Sequence, residues 1–279
     1  MSNKRTFVEL TVNTWKDFIA ILENFTDKWV FRGQSSDYII TTSLERACND
    51  YGISLSKAPG IEAQLIRDFK RRYSGDDRNI VLNDTLYCLT LMQHHGAPTR
   101  LLDWTYSPFV AAFFALEKSV SSTSIVWCLN GDWCLKQATL IAGKDLIVAR
   151  NTDETRNDSS FKPLYMRKKP FKMVFIENPY LFHERLIIQQ GVFLCPGDIS
   201  TKFEINIKSL DGWTKKSSIV KIRFQMTKQD HLRALTELQS MNVGNAVLFP
   251  GLDGFARSLK QKLPLYERMA RRGIGQKKP

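Results

Sequence analysis

The chain has 279 residues, 43% hydrophobic and 11% aromatic, enough to bury a sizeable core in one large domain or two modest ones. No apolar run approaches the roughly 18 residues that span a bilayer, and Met1-Ser2-Asn3-Lys4-Arg5 leads into no apolar signal-peptide core, so neither a membrane span nor secretion is expected and the reading is cytoplasmic. The 40 Lys and Arg against 28 Asp and Glu give a net charge of +12, which favours polyanionic partners, nucleic acid above all.

The five cysteines, Cys48, Cys88, Cys128, Cys134 and Cys195, are scattered without CxxC spacing. They are expected to be reduced and mostly buried, and no metal site is expected because no ligand set has recognisable spacing. Much of the positive charge sits in Arg167-Lys168-Lys169, Lys215-Lys216 and a tail carrying Arg271-Arg272 and Lys277-Lys278.

In chain order, the spacing of Trp15, Phe18, Ile19 and Leu22 predicts a helix over about residues 14 to 25, capped by Asn13 or Thr14. Trp29 to Gly33 reads as a short strand ending at a glycine. Ile61, Leu65 and Phe69 predict a helix to Arg72, and another runs from an Asn83 or Asp84 cap to about Gln93. Ser107-Pro108 is a helix start, an N-cap hydroxyl followed by proline at the first helical position, and Phe109, Val110, Phe113 and Phe114 make that helix almost fully buried. Ser124 to Leu129 alternates poorly, as a central strand does.

The stretch from 150 to 162 is rich in Asn, Asp, Thr and Ser and reads as a polar loop or flap. Strands are then expected at Phe171 to Ile176, at Val192-Phe193-Leu194-Cys195 after Gly191, at Phe203 to Ile207 and at Ser218 to Phe224. Thr227 to Met241 reads as a helix with a Thr-x-x-Asp capping box and Gly244 as its stop. Val247 to Pro250 reads as a strand turning into a last helix from about Leu252 to Lys262, with a frayed basic tail over 264 to 279. Strands and helices mix without a regular βαβ period, so the expected class is α+β, one domain with mixed and antiparallel strands and packed helices.

The densest chemistry lies at Gln93-His94-His95-Gly96-Ala97-Pro98-Thr99-Arg100-Leu101-Leu102-Asp103-Trp104-Thr105-Tyr106-Ser107-Pro108, against the apolar helix that follows. Titratable groups held on a hydrophobic scaffold mark a binding or catalytic site, unless they form a buried network in which Arg100 pairs with Asp103. Only one of His94 and His95 can face such a site, as a base or a phosphate donor, and a packed imidazole beside an exposed one is the other reading. Trp104 either stacks on a base or guanidinium or is a core indole. Phe31-Arg32-Gly33-Gln34 places a guanidinium at a strand end beside a residue that admits a ligand to the main chain, or else an Arg paired with a nearby carboxylate.

Four blocks occur in order: Phe31-Arg32-Gly33, the His94 to Pro108 segment, Gln189-Gln190-Gly191-Val192-Phe193, and Leu248-Phe249-Pro250-x-Leu252-Asp253-Gly254. Together they resemble the FRG domain family, over roughly residues 29 to 260. A strand with Arg-Gly, then a strand with hydroxyls entering a Ser-Pro-x-x-Ala-x-x-Phe-Ala helix, is similar more distantly to mono-ADP-ribosyltransferases of the Arg-Ser-Glu type.

That second resemblance implies a transferase-like core and a pocket for NAD, as substrate; taken with the polar blocks, the pocket is expected to be lined by Arg32, Gly33, Gln34, His94, His95, Thr99, Arg100, Asp103, Trp104, Thr105 and Ser107. Arg32 would hold a phosphate, and Thr105 and Ser107 would shape the nicotinamide-ribose pocket. ADP-ribose would pass to a macromolecular target, nucleic acid being favoured by charge, in a toxin or defence effector with an antitoxin or regulatory partner. The late strand of those enzymes carries a catalytic Glu, whereas here Gln189-Gln190-Gly191 has no acid. Glu184 is the nearest carboxylate and Asp103 another, with Glu184 or Gln190 standing opposite the pocket; a Gln supplies no charge to a developing cation, so either another acid fills the role or the pocket binds a nucleotide without cleaving it. The alternatives are a nucleic-acid-binding module and a metal-independent nuclease using His94 or His95.

Overall fold

A computed structural model describes residues 6–118, 123–153, 157–181 and 184–271. Its seven strands are β1 (Val8–Val12), β2 (Trp29–Gln34), β3 (Leu102–Thr105), β4 (Ser124–Asn130), β5 (Val174–Glu177), β6 (Gly191–Pro196) and β7 (Ile219–Phe224). They form one mixed sheet in the order β1-β7-β4-β2-β3-β6-β5, with β1 parallel to β7 and the other neighbours antiparallel. Helices cover both faces, so the chain is α+β as the sequence predicts.

The strand period of two divides the apolar residues between two cores. Val30, Ile125, Trp127 and Leu129 pack with Leu86, Leu89, Cys134, Ala138, Phe161 and Leu164 from helices Thr85–His94, Gly131–Ala142 and Asp158–Tyr165. Trp29, Phe31, Val126, Cys128, Val220 and Ile222 pack on the opposite face, against Trp15, Phe18, Val110, Ala111, Phe113, Ala234 and Leu238. β4 is buried on both sides, which is why its sequence does not alternate.

Local signals set several helix starts. Thr14 and Asp17 complete a capping box for Trp15–Leu22. The Ser107 hydroxyl accepts from the Val110 N–H at 3.3 Å with Pro108 at the first position of Pro108–Leu116. Thr227 accepts from the Asp230 N–H at 3.1 Å to begin Lys228–Ser240. All five cysteines are buried and unpaired.

Six expectations are corrected. Phe203–Lys208 is a helix rather than a strand: Phe203, Asn206 and Ile207 are buried at helical spacing, and the first N–H, of Phe203, donates to the buried Glu45 carboxylate at 2.8 Å. The polar stretch from 150 is mostly helical, as Lys144–Thr152 and Asp158–Tyr165, with 154–156 outside the described residues. Arg150 and Ser160 face inward, where Arg150 bonds Glu177 and the Ser160 hydroxyl, while Asn151, Thr152 and Ser159 stay exposed. Lys228–Ser240 is stopped by Asn242, at φ 60°, while Gly244 is extended and caps the short helix Asn245–Leu248 that stands where a strand was expected. The last helix runs over Leu252–Arg271, into the segment read as frayed, of which 272–279 lies outside the described residues. β5 begins at Val174, leaving Phe171 outside it.

Gly33 sets how closely β2 approaches the Pro108–Leu116 helix. A Cβ there would lie 2.0 Å from the Ala111 carbonyl oxygen and 2.6 Å from the Ala115 nitrogen. Backbone atoms cannot swing aside, so Gly33→Ala is expected to exceed the roughly 1–3 kcal/mol of ordinary overpacking. Urea unfolding measures this, and an unchanged midpoint would show that the strand and helix separate at no cost.

Candidate functional site

The sheet parts at its centre. β2 is laddered to β4 from Trp29 to Gln34 and β3 to β6 from Leu102 to Thr105, yet β2 and β3 pair only through Phe31 and Thr105. Continuing that register would oppose Arg32 to Trp104 and Gly33 to Asp103, and neither pair forms. The Arg32 side chain spans the gap instead, its Nη1 donating to the Asp103 carbonyl at 2.5 Å. A cleft of about 760 Å³ opens there. Phe31, Arg32, Gly33, Asp103, Trp104 and Thr105 come from the strands, Phe114, Glu117 and Lys118 from the buried helix and its end, Arg185 and Gln189 from the segment before β6, and Asn245, Phe249, Arg257 and Lys260 from the C-terminal region.

Five of these side chains are cations and two, Asp103 and Glu117, are carboxylates. Arg185 and Arg257 both lie on the Phe249 ring, their guanidinium carbons 4.6 and 5.1 Å from its centroid. Burial pulls the Arg185 pKa down, Asp103 opposes this, and the charge of Arg257 adds to it. Burial likewise lowers Arg32, partly offset by Asp103. Among the described residues none of Arg32, Arg185 and Arg257 has a carboxylate within ion-pair distance, whereas Arg100 and Arg150 are fully paired. Burial also raises the Glu117 pKa, opposed by Lys118, by a hydrogen bond from Asn245 and by Arg257.

Four buried side-chain polar atoms lack a partner among the described residues, and three belong to this cleft: Arg32 Nε, Trp104 Nε1 and Asn245 Oδ1. The fourth is His231 Nε2, in the core. Buried polar groups are nearly always satisfied, so the gathering of such atoms at one cavity makes this cleft the candidate binding site.

The structure brings together Arg32, Gly33, Asp103, Trp104 and Thr105 from the sequence-predicted set. Thr105 also ties the site's walls, its hydroxyl donating to the Gln189 carbonyl at 2.7 Å and accepting from the Ser107 N–H at 3.0 Å. Ser107 itself caps the helix and does not line the cleft. Gln34 is 2% exposed, on the same side of β2 as Arg32 but outside the cleft, accepting from the Trp127 indole N–H. Thr99 is fully buried and bonded to Gln93.

Arg100 is 2% exposed and grips Glu62, not Asp103, while its Nη1 donates to the Tyr165 carbonyl at 2.9 Å. Asp103 accepts from Gln93 Nε2 at 3.0 Å. His94 and His95 are exposed at the end of Thr85–His94, with rings edge to face at 5.0 Å, and neither lines the cleft. Burial, then His95, then Arg185 lower the His94 pKa. Glu184 and Gln190 are exposed, and their neighbours Arg185 and Gln189 line the cleft in their stead.

Sequence reasoning missed Glu117, Lys118, Arg185, Asn245, Phe249, Arg257 and Lys260. Only Phe249 lay in a block singled out, and that block was read as structural.

Fold and site together define an α+β protein whose central sheet splits around a cationic cleft. Residues 27–124 match the family model of the FRG domain. The match takes in the Phe31 triplet and the His94 to Pro108 block and ends before the two later blocks. No curated protein and no solved structure matches the chain. Among the described residues, no group of three or more His, Cys, Asp or Glu is disposed to hold a metal, and no helix is long and apolar enough to cross a membrane.

Proposed function

We propose that the cleft binds a pyrophosphate-bearing nucleotide of the NAD class and that the protein transfers ADP-ribose from it to a macromolecular target. The observation that carries this is the set of three arginines, Arg32, Arg185 and Arg257, lining one cleft without carboxylate partners among the described residues. A guanidinium matches phosphate oxygens in a bidentate fork, and is held unpaired in a cavity only where an anion repays the desolvation. The Phe249 face fixes two of the three without neutralising them.

In the transfer, the bond from the ribose to nicotinamide breaks, nicotinamide leaves, and a nucleophile on the target takes its place and loses its proton. The developing cation needs a carboxylate nearby. Asp103 and Glu117 line the cleft and Glu184 does not, so the acid first sought before β6 is looked for on β3 or at the end of the Pro108–Leu116 helix. The net charge of +12 favours nucleic acid as the target and an acidic protein as any inhibitor.

Calorimetric titration with NAD, ADP-ribose and adenosine tests the binding, and adenine-tagged NAD added to a lysate tests the transfer, with products divided by nuclease and protease. NAD and ADP-ribose are expected to bind, and adenosine, lacking phosphate, to bind far more weakly. Arg185→Gln is expected to weaken NAD about tenfold or more, the loss of one charge-assisted contact. No heat with NAD and no label, together with salt-dependent nucleic-acid binding indifferent to NAD, would overturn the proposal in favour of a binding module.

A further inference from the structure

A second concave surface, a groove of about 340 Å³, lies between helices Ala58–Arg72 and Arg78–Asn83 and shares no residue with the cleft. Ala63, Ile66, Arg67, Lys70 and Arg71 line it from the first helix, where their spacing of three and four puts them on one face. Arg78 and Leu82, one turn apart, line it from the second. Four of these seven side chains are cations and none is a carboxylate.

Little within the protein neutralises that charge. Among the described residues Lys70, Arg71 and Arg78 make no ion pair, and Arg67 meets only Asp68, at 3.9 Å with both side chains largely in water, where such a contact is weak. Lys70 Nζ donates instead to the Leu82 carbonyl at 2.9 Å and Arg78 Nη1 to the Tyr73 carbonyl, which fixes both heads and leaves them charged. Asp77, just before Arg78, is engaged elsewhere: Oδ1 accepts from the Tyr73 hydroxyl and Oδ2 from the Tyr87 hydroxyl, both at 2.5 Å. Those bonds tie the turn between the two helices to helix Thr85–His94, so the groove has a fixed wall. Helix electrostatics explain Lys70 and Arg71, which suit the negative end of the dipole in the last turn of Ala58–Arg72. They do not explain Arg67, which precedes that turn, or Arg78, which opens the next helix, where a cation is unfavourable.

We propose that this groove seats the phosphate backbone of a double-stranded nucleic acid, with Arg67, Lys70, Arg71 and Arg78 set against the phosphates. Three of the four are arginines, whose planar forks match phosphate oxygens. Helix neighbours three and four apart stand about 5–6 Å from one another at Cβ, so the cations form a close-set row that a densely charged backbone fills at once. Single strands are held by stacking bases on aromatic rings, and this groove is lined by none. A duplex keeps its bases stacked on one another and offers its backbone, so recognition here is independent of sequence. The inference goes beyond the nucleotide reading of the cleft, since the groove needs no nucleotide to be filled.

The test is the salt dependence of binding to a short mixed-sequence DNA duplex, read by fluorescence anisotropy. Wild type is compared with Arg67→Gln, Arg71→Gln together and with Lys215→Gln, Lys216→Gln together, a control with the same change in net charge. Lys215 and Lys216 are exposed and line neither concavity. Each phosphate contact contributes about 0.9 to the slope of log affinity against log salt, so the groove variant is expected to lower that slope by about 1.8. Its affinity is expected to fall about tenfold or more, and the control to keep the wild-type slope. Arg67 and Arg71 are exposed and Gln is a comparable helix former, so the melting temperature is expected to hold.

Equal losses in the two double variants, or no loss in the groove variant, would show diffuse charge in place of a site and overturn the inference. Tighter binding of the separated strands than of the duplex, or displacement of the duplex by polyglutamate as readily as by unlabelled duplex, overturns it as well. NAD titrated into the same samples keeps the two readings apart. Wild type that binds duplex but no NAD sinks the transferase reading alone, and wild type that binds NAD but no duplex sinks this one alone.

Discussion

Arg100→Met is expected to lower the melting temperature by roughly 10 °C and to leave nucleotide binding intact at temperatures where the variant is folded. Arg100 and Glu62 are both nearly inaccessible, with side-chain exposures of 3% and 1%. Burial alone would push the Arg100 pKa down, but the charge and hydrogen bonds of Glu62 outweigh it and raise it. Truncation strands the Glu62 carboxylate and the Tyr165 carbonyl in the core. Breaking a buried pair from one side costs about 3–5 kcal/mol, and each kcal/mol is worth about 2–4 °C in a domain of this size. The double variant Arg100→Met, Glu62→Leu is expected to recover much of the loss, because the penalty lies in the uncompensated charge. A near-native melting temperature with abolished NAD binding would contradict this and place Arg100 in the site.

Arg32→Gln is expected to do the reverse. Arg32 has no carboxylate partner among the described residues, Nε bonds nothing, and burial depresses its pKa, so the free protein pays to keep it charged there. Removing it forfeits one hydrogen bond to the Asp103 carbonyl and relieves that burial, so stability should stay within about 1 kcal/mol of wild type. NAD affinity is expected to fall about 10–100-fold, equivalent to about 1.5–3 kcal/mol for a hydrogen-bonded charge. Thermal unfolding and calorimetry on the same samples separate the two effects. A large loss of stability with unchanged affinity would make Arg32 a strut between β2 and β3 and nothing more.

The contrast between these arginines shows where the sequence was legible. Both stand in blocks rich in polar residues, and composition treats them alike. Arg32 lies on the cleft because β2 leaves β3 just beyond Phe31, and Arg100 lies in the core because helix Ala58–Arg72 brings Glu62 to it. The partner is 38 residues away, and no local pattern announces it. Glu184 and Gln190 missed the cleft by one position each, while Arg185 and Gln189 reached it, a distinction that depends on the phase of a short helix.

Elements governed by neighbours in the chain were determined by the sequence itself. Thr14, Asp84, Ser107-Pro108 and Thr227 cap helices because a side-chain oxygen three positions from an orphan N–H has no competitor as close. β4 was legible because burial on both faces leaves a continuous apolar run. The segment at Phe203 went wrong because five or six residues carry too few turns to show their period. The cleft was decided by tertiary structure alone: its cations and carboxylates come from four separate stretches, and they converge only because two central strands pair at one residue and then part. Long-range charge and burial, which no window of sequence contains, choose which polar residues are satisfied in the core and which are left for a ligand.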